Sequence, residues 1–165
     1  MTVKGGISLT SGKKTTSNNY VTYHSGAVYT HFFSLGNYIP AGGSLVITLP
    51  SEISIKSDPF GAFQSSSADL VSSGVYTSKT ITLKANAKIP AGDYTVTYGG
   101  LLNRRSFSPS GIFGIKSFTS SGKEVGAGSI DNIVMNEAAK FSGFTVAPSN
   151  STNGAQSNYL VSFTS

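Results

Sequence analysis

The chain has 165 residues, of which 38% are hydrophobic and 12% are charged, and its 12 basic and 7 acidic side chains give a net charge of +5. It contains no cysteine, which excludes a disulfide scaffold and any thiolate metal site. The basic residues are scattered along the sequence, whereas a nucleic-acid-binding face concentrates them, so nucleic acid is not an expected partner. No segment approaches the roughly 20 apolar residues that span a bilayer, so direct membrane insertion is not expected.

Short segments rich in β-branched and aromatic residues recur along the chain, separated by turn formers such as Gly42-Gly43 and Ser121-Gly122. Several of them alternate apolar and polar residues, as a strand with one buried face does. In chain order, strands are predicted at residues 7–10, 20–23, 28–35, 45–49, 79–85, 94–98, 112–118, 130–134, 144–146 and 159–163. Short strands at this spacing favour an all-β protein built as an antiparallel β-sandwich.

The tetrapeptide Ile-Pro-Ala-Gly occurs twice, at residues 39–42 and 89–92, each time just before a predicted strand. Proline presets the first central position of a turn, and glycine accepts the positive φ that a type II turn requires. We interpret the pair as one turn solution used twice rather than as an internal duplication, because the strands that follow do not otherwise match.

The end of the sequence resembles its beginning. Residues 157–165 match residues 17–25 at an offset of 140. A competing register, at an offset of 130, places Tyr159 and Phe163 on Tyr29 and Phe33. Either offset is about the length of one small domain, so the sequence predicts one full module and the opening of a second.

We therefore expect a β-sandwich module at residues 1–143. Residues 144–165 are then either the opening strands of a following repeat or a donor strand for a neighbouring copy. Strand donation is physically reasonable because the edge of a sheet exposes unpaired backbone groups that an incoming strand can satisfy. The predicted assembly strand consists of Tyr159, Leu160, Val161, Ser162 and Phe163.

Two segments near the expected boundary have their own signals. Residues 136–140 have helical propensity but are too few to hold a helix, so they are interpreted as a turn at the module boundary. Residues 148–154 are polar and rich in serine and asparagine, which is typical of a loop. This loop carries the sequon Asn150-Ser151-Thr152, which makes Asn150 a candidate glycosylation site.

The sequence contains no catalytic constellation. His24 and His31 lack a second histidine or a cysteine at metal-ligand spacing, and the seven acidic residues do not cluster. Neither a Gly-x-Ser-x-Gly elbow nor a glycine-rich phosphate loop is present. We therefore predict a protein that is not an enzyme and that has no catalytic residue, no metal site and no cofactor.

A long loop carries Arg104 and Arg105, with Phe107 close by and Tyr98 on the preceding strand. Loops commonly hold binding residues, and adjacent arginines suit an acidic glycan or a neighbouring module. Arg104, Arg105 and Phe107 are therefore predicted as a ligand or partner contact, with a solvated loop of no special role as the alternative.

Several of the turn and core segments resemble one family, the tandem immunoglobulin-like repeats of large microbial and protist surface proteins. The similarity spans roughly residues 20–135 and resumes at residues 144–165. Many of those repeats carry a cysteine pair, which this chain lacks. The segments that carry the resemblance are Tyr29-x-x-x-Phe33, residues 39–50, residues 89–92, Leu101-Leu102-Asn103, residues 108–113 and the Ser121-Gly122 hairpin.

The resemblance implies an immunoglobulin-like sandwich that serves as a non-catalytic building block of an extracellular surface fibre, stalk or adhesin. Its partners would be copies of itself or adjacent repeats, with a surface glycan as a further candidate. Two alternatives stay open. A carbohydrate-binding module is favoured if exposed aromatic rings line a groove beside Arg104 and Arg105, and a phage or viral surface domain is compatible with a sandwich of this size.

Overall fold

The computed structural model describes residues 5–136, 142–152, 154 and 156–164. Within them the chain forms thirteen strands in two sheets and one short 3-10 helix, Pro59–Ala62. The predicted all-β class is thereby confirmed. The strands are β1 (Gly5–Leu9), β2 (Thr16–Ser17), β3 (Ser25–Leu35), β4 (Ser44–Thr48), β5 (Ser54–Ile55), β6 (Gln64–Ser65), β7 (Leu70–Tyr76), β8 (Thr80–Ala85), β9 (Gly92–Leu102), β10 (Phe113–Phe118), β11 (Glu124–Ile130), β12 (Ser142–Pro148) and β13 (Tyr159–Thr164).

The larger sheet contains eleven strands in the order β5-β9-β3-β1-β11-β10-β4-β8-β7, with β2 paired to β3 and β6 paired to β9. This sheet curls until its two ends meet, where the backbone N–H of Ile55 in β5 donates to the carbonyl oxygen of Ser78 at 3.0 Å. Phe113 of β10 consequently packs against Tyr29 of β3, with ring centroids 6.0 Å apart. The two halves of the curled sheet enclose one hydrophobic core.

Strand β1 joins the two halves of the sheet. It pairs antiparallel with β3, through Ile7 and Leu35, and parallel with β11, through Ile7 and Gly128. The approach to β11 is close, since a Cβ atom on Gly128 would lie 1.6 Å from the carbonyl oxygen of Ile7. The sequence predicts an antiparallel sandwich, so this parallel pair is a departure from it, and glycine at position 128 is what makes room for it.

The core side of β3 is set by strict alternation along the strand. Ala27, Tyr29, His31, Phe33 and Leu35 are all buried, and the residues between them are partly exposed. A period of two residues is what a strand with one face against the core requires. The strand lies between β1 and β9 in the sheet, so its buried face forms the centre of the core.

The two Ile-Pro-Ala-Gly segments pair with each other. Ile39 and Ile89 exchange both backbone hydrogen bonds, at 2.8 and 2.9 Å, and both side chains are fully buried. Gly42 has φ of +74° and Gly92 has φ of +147°, conformations that other residues rarely adopt. The two turns therefore lie side by side and are hydrogen-bonded to each other. The sequence interpretation, one turn solution used twice, did not predict this pairing.

The predicted strand at residues 20–23 is wrong. These residues form a turn, in which the side chain of Asn19 accepts a hydrogen bond from the backbone N–H of Val21 at 2.8 Å. Asn18 similarly accepts from the N–H of Val28 at 2.8 Å. Asparagine side chains compete in this way with the hydrogen bonds of a sheet, so the aromatic and β-branched residues that follow do not extend as a strand.

The predicted strand at residues 130–134 is also misplaced, because β11 ends at Ile130. The sequence of β11, Glu-Val-Gly-Ala-Gly-Ser-Ile, lacks the run of β-branched and aromatic residues that signals a strand. The same is true of the centre of β7, where Ser72, Ser73 and Gly74 interrupt the pattern. Both strands were missed for this reason.

The second sheet is a hairpin, in which β12 and β13 pair antiparallel with each other. The strands predicted at residues 144–146 and 159–163 are confirmed, and β12 extends over residues 142–148. The predicted boundary at residues 136–140 lies outside the described residues from position 137 onward. The end of the sequence matches its beginning in two registers. The offset of 140 aligns β13 with the turn at 20–23, whereas the offset of 130 aligns β13 with another strand, β3.

We expect Gly128→Ala to destabilise the protein by about 1–3 kcal/mol, because the added methyl group overlaps the backbone of Ile7 and forces β1 away from β11. The measurement is the free energy of unfolding in urea. Gly6→Ala, in the same pair of strands, is the matched control, since a Cβ atom there meets nothing within 4 Å. Equal stability of the two variants would contradict the parallel pairing of β1 with β11.

Candidate functional site

Arg104 and Arg105 line an open groove of about 390 Å³ that follows the end of β9. Tyr23, Glu52 and Lys56 line the same groove. Phe107 is 40% exposed on the same loop but does not line the groove. The structure therefore brings two of the three predicted contact residues together and adds three that the sequence did not indicate, because they come from distant loops. The role of these residues as a contact stays a prediction.

The two adjacent arginines have different environments. Arg104 is only 8% exposed, and its Nη1 donates to the carbonyl oxygen of Pro109 and lies 3.9 Å from Glu52 Oε1. Its Nε is buried and has no hydrogen-bond partner among the described residues. A buried donor without an acceptor costs about 1–3 kcal/mol, so Arg104 is held in place mainly by its other contacts and by packing.

The carboxylate of Glu52 is held ionised by hydrogen bonds. It accepts from its own backbone N–H, from the N–H of Gly111 at 3.1 Å and from the hydroxyl of Ser51 at 3.1 Å. These bonds, together with the charge of Arg104, lower the pKa of Glu52 below its usual range, against an opposing effect of burial. Glu52 is thus already satisfied by the protein, and it neutralises part of the charge of Arg104.

Arg105 is exposed and stacks on an aromatic ring. Its Cζ lies 4.3 Å from the centroid of the Tyr23 ring, and its Nη2 donates to the Tyr23 hydroxyl at 2.9 Å. A guanidinium over an aromatic face is attracted by the quadrupole of the ring, which fixes the orientation of an otherwise flexible side chain. Arg105 and Tyr23 therefore form an ordered pair at the surface of the groove.

Tyr23 is held in an unusual backbone conformation. Its φ is +56°, which costs a non-glycine residue about 1–2 kcal/mol. The backbone N–H of Tyr23 donates to the carbonyl oxygen of Arg104 at 2.9 Å, and the backbone N–H of Asn103 donates to the carbonyl oxygen of His24 at 2.9 Å. These bonds tie the turn that carries Tyr23 to the loop that carries the arginines.

Asn103 connects this turn to the core. It is 1% exposed, and its side-chain oxygen accepts a hydrogen bond from the hydroxyl of Tyr29 at 2.8 Å. Its side-chain nitrogen donates to the carbonyl oxygens of Asn19 and Val21, at 2.9 and 2.7 Å. Both N–H donors of the Asn103 side chain and its oxygen are engaged within the protein, so Asn103 positions the groove rather than contacting a ligand.

Tyr98 does not belong to the groove, although the sequence places it near the arginines. Its side chain is fully buried, and its hydroxyl lies 2.6 Å from Nε2 of His31. Burial and the nearby Tyr29 raise the pKa of Tyr98 well above its usual value, so the phenol keeps its proton. The exposed aromatic ring beside the arginines is that of Tyr23, which β-strand periodicity had placed in a strand.

His31 lies in the core. It is fully buried, and burial lowers the pKa of its imidazole from 6.5 to about 3, so the ring is neutral. Its Nε2 lies 2.6 Å from the Tyr98 hydroxyl and its Nδ1 lies 3.0 Å from Thr15 Oγ1, so one ring nitrogen donates and the other accepts a hydrogen bond. Both ring nitrogens are engaged inside the protein, so His31 has no nitrogen to offer to a substrate.

The predicted assembly strand is β13, paired with β12 in the hairpin. Tyr159 and Leu160 are each 69% exposed, and Val161 is 49% exposed. The side chain of Phe163 lies outside the described part of the structure. Three consecutive large apolar side chains at the surface are unusual for a strand, which normally buries at least one face. The assembly role of this strand stays a prediction.

Asn150 lies in the loop between β12 and β13 and is exposed. Its side-chain oxygen accepts a hydrogen bond from the N–H of Thr152 at 2.9 Å, and its own N–H donates to Ser157 at 3.1 Å. The sequon is accordingly placed where a glycan would meet no core residue. Its use stays a prediction.

Within the described ranges, no group of three or more His, Asp or Glu side chains is arranged to hold a metal ion. The described part of the chain likewise contains no helix with the length and apolar character needed to cross a membrane.

No family model and no curated protein sequence matches this chain. Among solved structures, the chain is similar to BslA, a bacterial hydrophobin, at 14% sequence identity and a TM-score of 0.38, over 79% of this chain and 98% of that one. A likeness this distant carries no argument about function. The resemblance to tandem immunoglobulin-like repeats stays a prediction.

We expect the free energy of unfolding to fall on acidification below pH 6.5, by at most about 1.4 kcal/mol per pH unit, because the unfolded chain protonates His31 and the folded chain does not. The folded pKa lies below the unfolded one, so this stabilisation is complete above pH 6.5 and is lost as the pH falls towards 3. The measurement is urea unfolding between about pH 6.5 and 5, above the range in which ordinary carboxylates titrate.

The control compares the two histidines of the chain. His31→Gln should remove most of this slope, whereas His24→Gln should retain it. A His31→Gln variant with the same slope as the original chain would show that His31 is accessible to protons in the folded state.

Proposed function

We propose that the chain is a non-catalytic structural module of an extracellular surface fibre, stalk or adhesin, and that copies or repeats join end to end through the β12–β13 hairpin. The observation that carries this proposal is the uncovered apolar face of that hairpin. The extracellular setting is implied by the resemblance to surface-protein repeats.

The apolar face of the hairpin follows from its pairing. Val146 is opposite Val161, and Pro148 is opposite Tyr159. Opposed residues of an antiparallel pair point to the same side, and residues two apart share that side. These four side chains therefore form one patch, and all four are exposed.

A hairpin with such a patch is stabilised when another surface buries the patch. An isolated two-stranded sheet is marginally stable in water, and burying an apolar side chain of this size contributes roughly 1.5–3 kcal/mol. Within the described residues each of the two strands pairs along one edge only, so an unpaired edge is also available. Both features favour docking against a sheet of another copy, or of the next repeat in a longer chain.

The finer fold assignment, an immunoglobulin-like sandwich, belongs to the same proposal. The order of strands around β3 and around β10 supports it, since one half of the sheet contains β1, β3 and β9 and the other contains β11, β10 and β4. In immunoglobulin domains the first, second and fifth strands share one sheet, and the third, sixth and seventh share the other. Between β4 and β9 in sequence, β5 and β6 pair in the first half, and β7 and β8 then extend the second half. The presence of β7 and β8 in the second half is a difference from that plan.

We expect the chain to form larger species as its concentration rises, and the double substitution Tyr159→Asp with Val161→Asp to raise the concentration needed by at least about tenfold. Two carboxylates in the patch would have to be desolvated on docking, which costs more than the apolar contacts return. The measurement is molar mass by light scattering on a sizing column. A chain that ends at Gly143 should be monomeric.

Ile112→Asp is the matched control, because Ile112 is 62% exposed and lies outside the hairpin. It should assemble as the original chain does. If the original chain is monomeric at every concentration, the proposal that free copies join through the hairpin is wrong. The alternative, in which the modules are consecutive repeats of one longer chain, is then tested in two copies joined in tandem. There the double substitution in the hairpin must lower the unfolding temperature.

A further inference from the structure

We propose that the groove around Arg105 binds an acidic polysaccharide, with the guanidinium of Arg105 on a sugar-borne oxyanion and the ring of Tyr23 against the sugar. This inference goes beyond the structural role proposed above and depends on different residues.

The charge of the groove calls for an anionic ligand. Lys56, Arg104 and Arg105 face a single carboxylate, that of Glu52. Glu52 is already bonded to Gly111 and lies 3.9 Å from Arg104, so it does not compensate the other two cations. Among the described residues no carboxylate pairs with Arg105 or Lys56. A neutral ligand would leave this positive charge without a counter-charge.

The geometry of Arg105 fits a planar or tetrahedral oxyanion. A guanidinium has five N–H donors, and the described residues accept one of them, through the Tyr23 hydroxyl. Stacking on Tyr23 covers a face of the guanidinium and leaves most of its donor edge available. Two parallel N–H groups of that edge match the oxygens of a carboxylate or a sulfate.

The aromatic ring and the shape of the groove favour a sugar chain over other anions. Tyr23 is 53% exposed even with Arg105 stacked on it, so ring surface remains for the C–H face of a sugar. The backbone bond from Tyr23 to Arg104 fixes this platform before any ligand arrives, which reduces the entropy lost on binding. A nucleic acid would require basic residues concentrated over a wider surface, whereas this groove holds three of them, Lys56, Arg104 and Arg105.

The test is calorimetric titration of the full-length chain with polygalacturonate, dextran sulfate, neutral dextran and polyglutamate. We expect binding to polygalacturonate, to dextran sulfate or to both, which distinguishes a carboxylate from a sulfate as the oxyanion. No binding is expected to neutral dextran, and binding to polyglutamate should be at least about tenfold weaker, because it offers no sugar ring. Failure of both acidic polysaccharides to bind, or equal affinity for polyglutamate, overturns the proposal.

Two substitutions separate the groove from the overall charge. Arg105→Gln should weaken binding by about tenfold or more, through loss of charge-assisted hydrogen bonds at an exposed position that the fold does not need. Lys88→Gln is the matched control, because Lys88 is also a cation stacked on an aromatic ring, with its Nζ 4.5 Å from the Tyr38 ring centroid, but lies outside the groove. Equal losses in the two variants would show attraction by net charge alone and would also overturn the proposal.

The titration is repeated in the Tyr159→Asp, Val161→Asp background. Retained affinity per chain there supports binding by the groove itself, whether or not the chain assembles. Loss of binding in that background, at concentrations where the original chain is also monomeric, would locate the polysaccharide at the hairpin and overturn the assignment to the groove.

Discussion

The double pairing of β1 is the constraint on which the rest of the structure depends. One strand hydrogen-bonds to β3 on one side and to β11 on the other, so the two halves of the sheet are fixed at a single distance and angle. The core between them is filled by side chains such as Phe113 and Tyr29, which come from the two halves that β1 joins. Pairing the first strand with the last strand of this sheet closes a long loop of chain, which is entropically costly and slow to form. Glycine at position 128 allows β1 and β11 to approach closely enough for their pairing to compensate this entropic cost.

The enclosed core is partly polar, and its polar groups determine where the surface loops are placed. Buried polar groups are costly unless they are hydrogen-bonded, and His31 and Tyr98 meet this requirement with each other and with Thr15. Tyr29 meets it by donating to the side-chain oxygen of Asn103, whose side-chain nitrogen donates to the turn before Tyr23. The position of the groove is therefore fixed by the core of the sheet rather than by the loops alone. A surface supported in this way is rigid, which suits recognition of a ligand without prior rearrangement.

Sequence reasoning succeeded where local pattern and tertiary environment agree. Strand β8 alternates apolar and polar residues, β4 is centred on the apolar run at residues 45–47, and both lie within a residue or two of their predicted bounds. It failed where local hydrogen bonds or long-range pairing decide the conformation: the side chain of Asn19 turns the chain before Tyr23, and glycine-rich β11 is a strand only because β1 and β10 pair with it. The difference in burial between Arg104 and Arg105 could not be predicted from the sequence either. Adjacent residues of one type in one loop carry no local signal for which of them is buried.

The groove and the hairpin have opposite chemistry, which bears on how a repeated module would work. The groove is small, open and cationic, so a single copy makes only a few contacts with a polymer and binds it weakly. The hairpin is apolar and, in the proposed assembly, joins modules to one another. If modules are joined, the grooves recur along the assembly, and a polysaccharide that engages one groove meets the next at a high effective concentration. Affinity then grows with the number of modules without any new contact, so assembly through Tyr159 and Val161 would strengthen binding at Arg105 while leaving the intrinsic affinity of each groove unchanged.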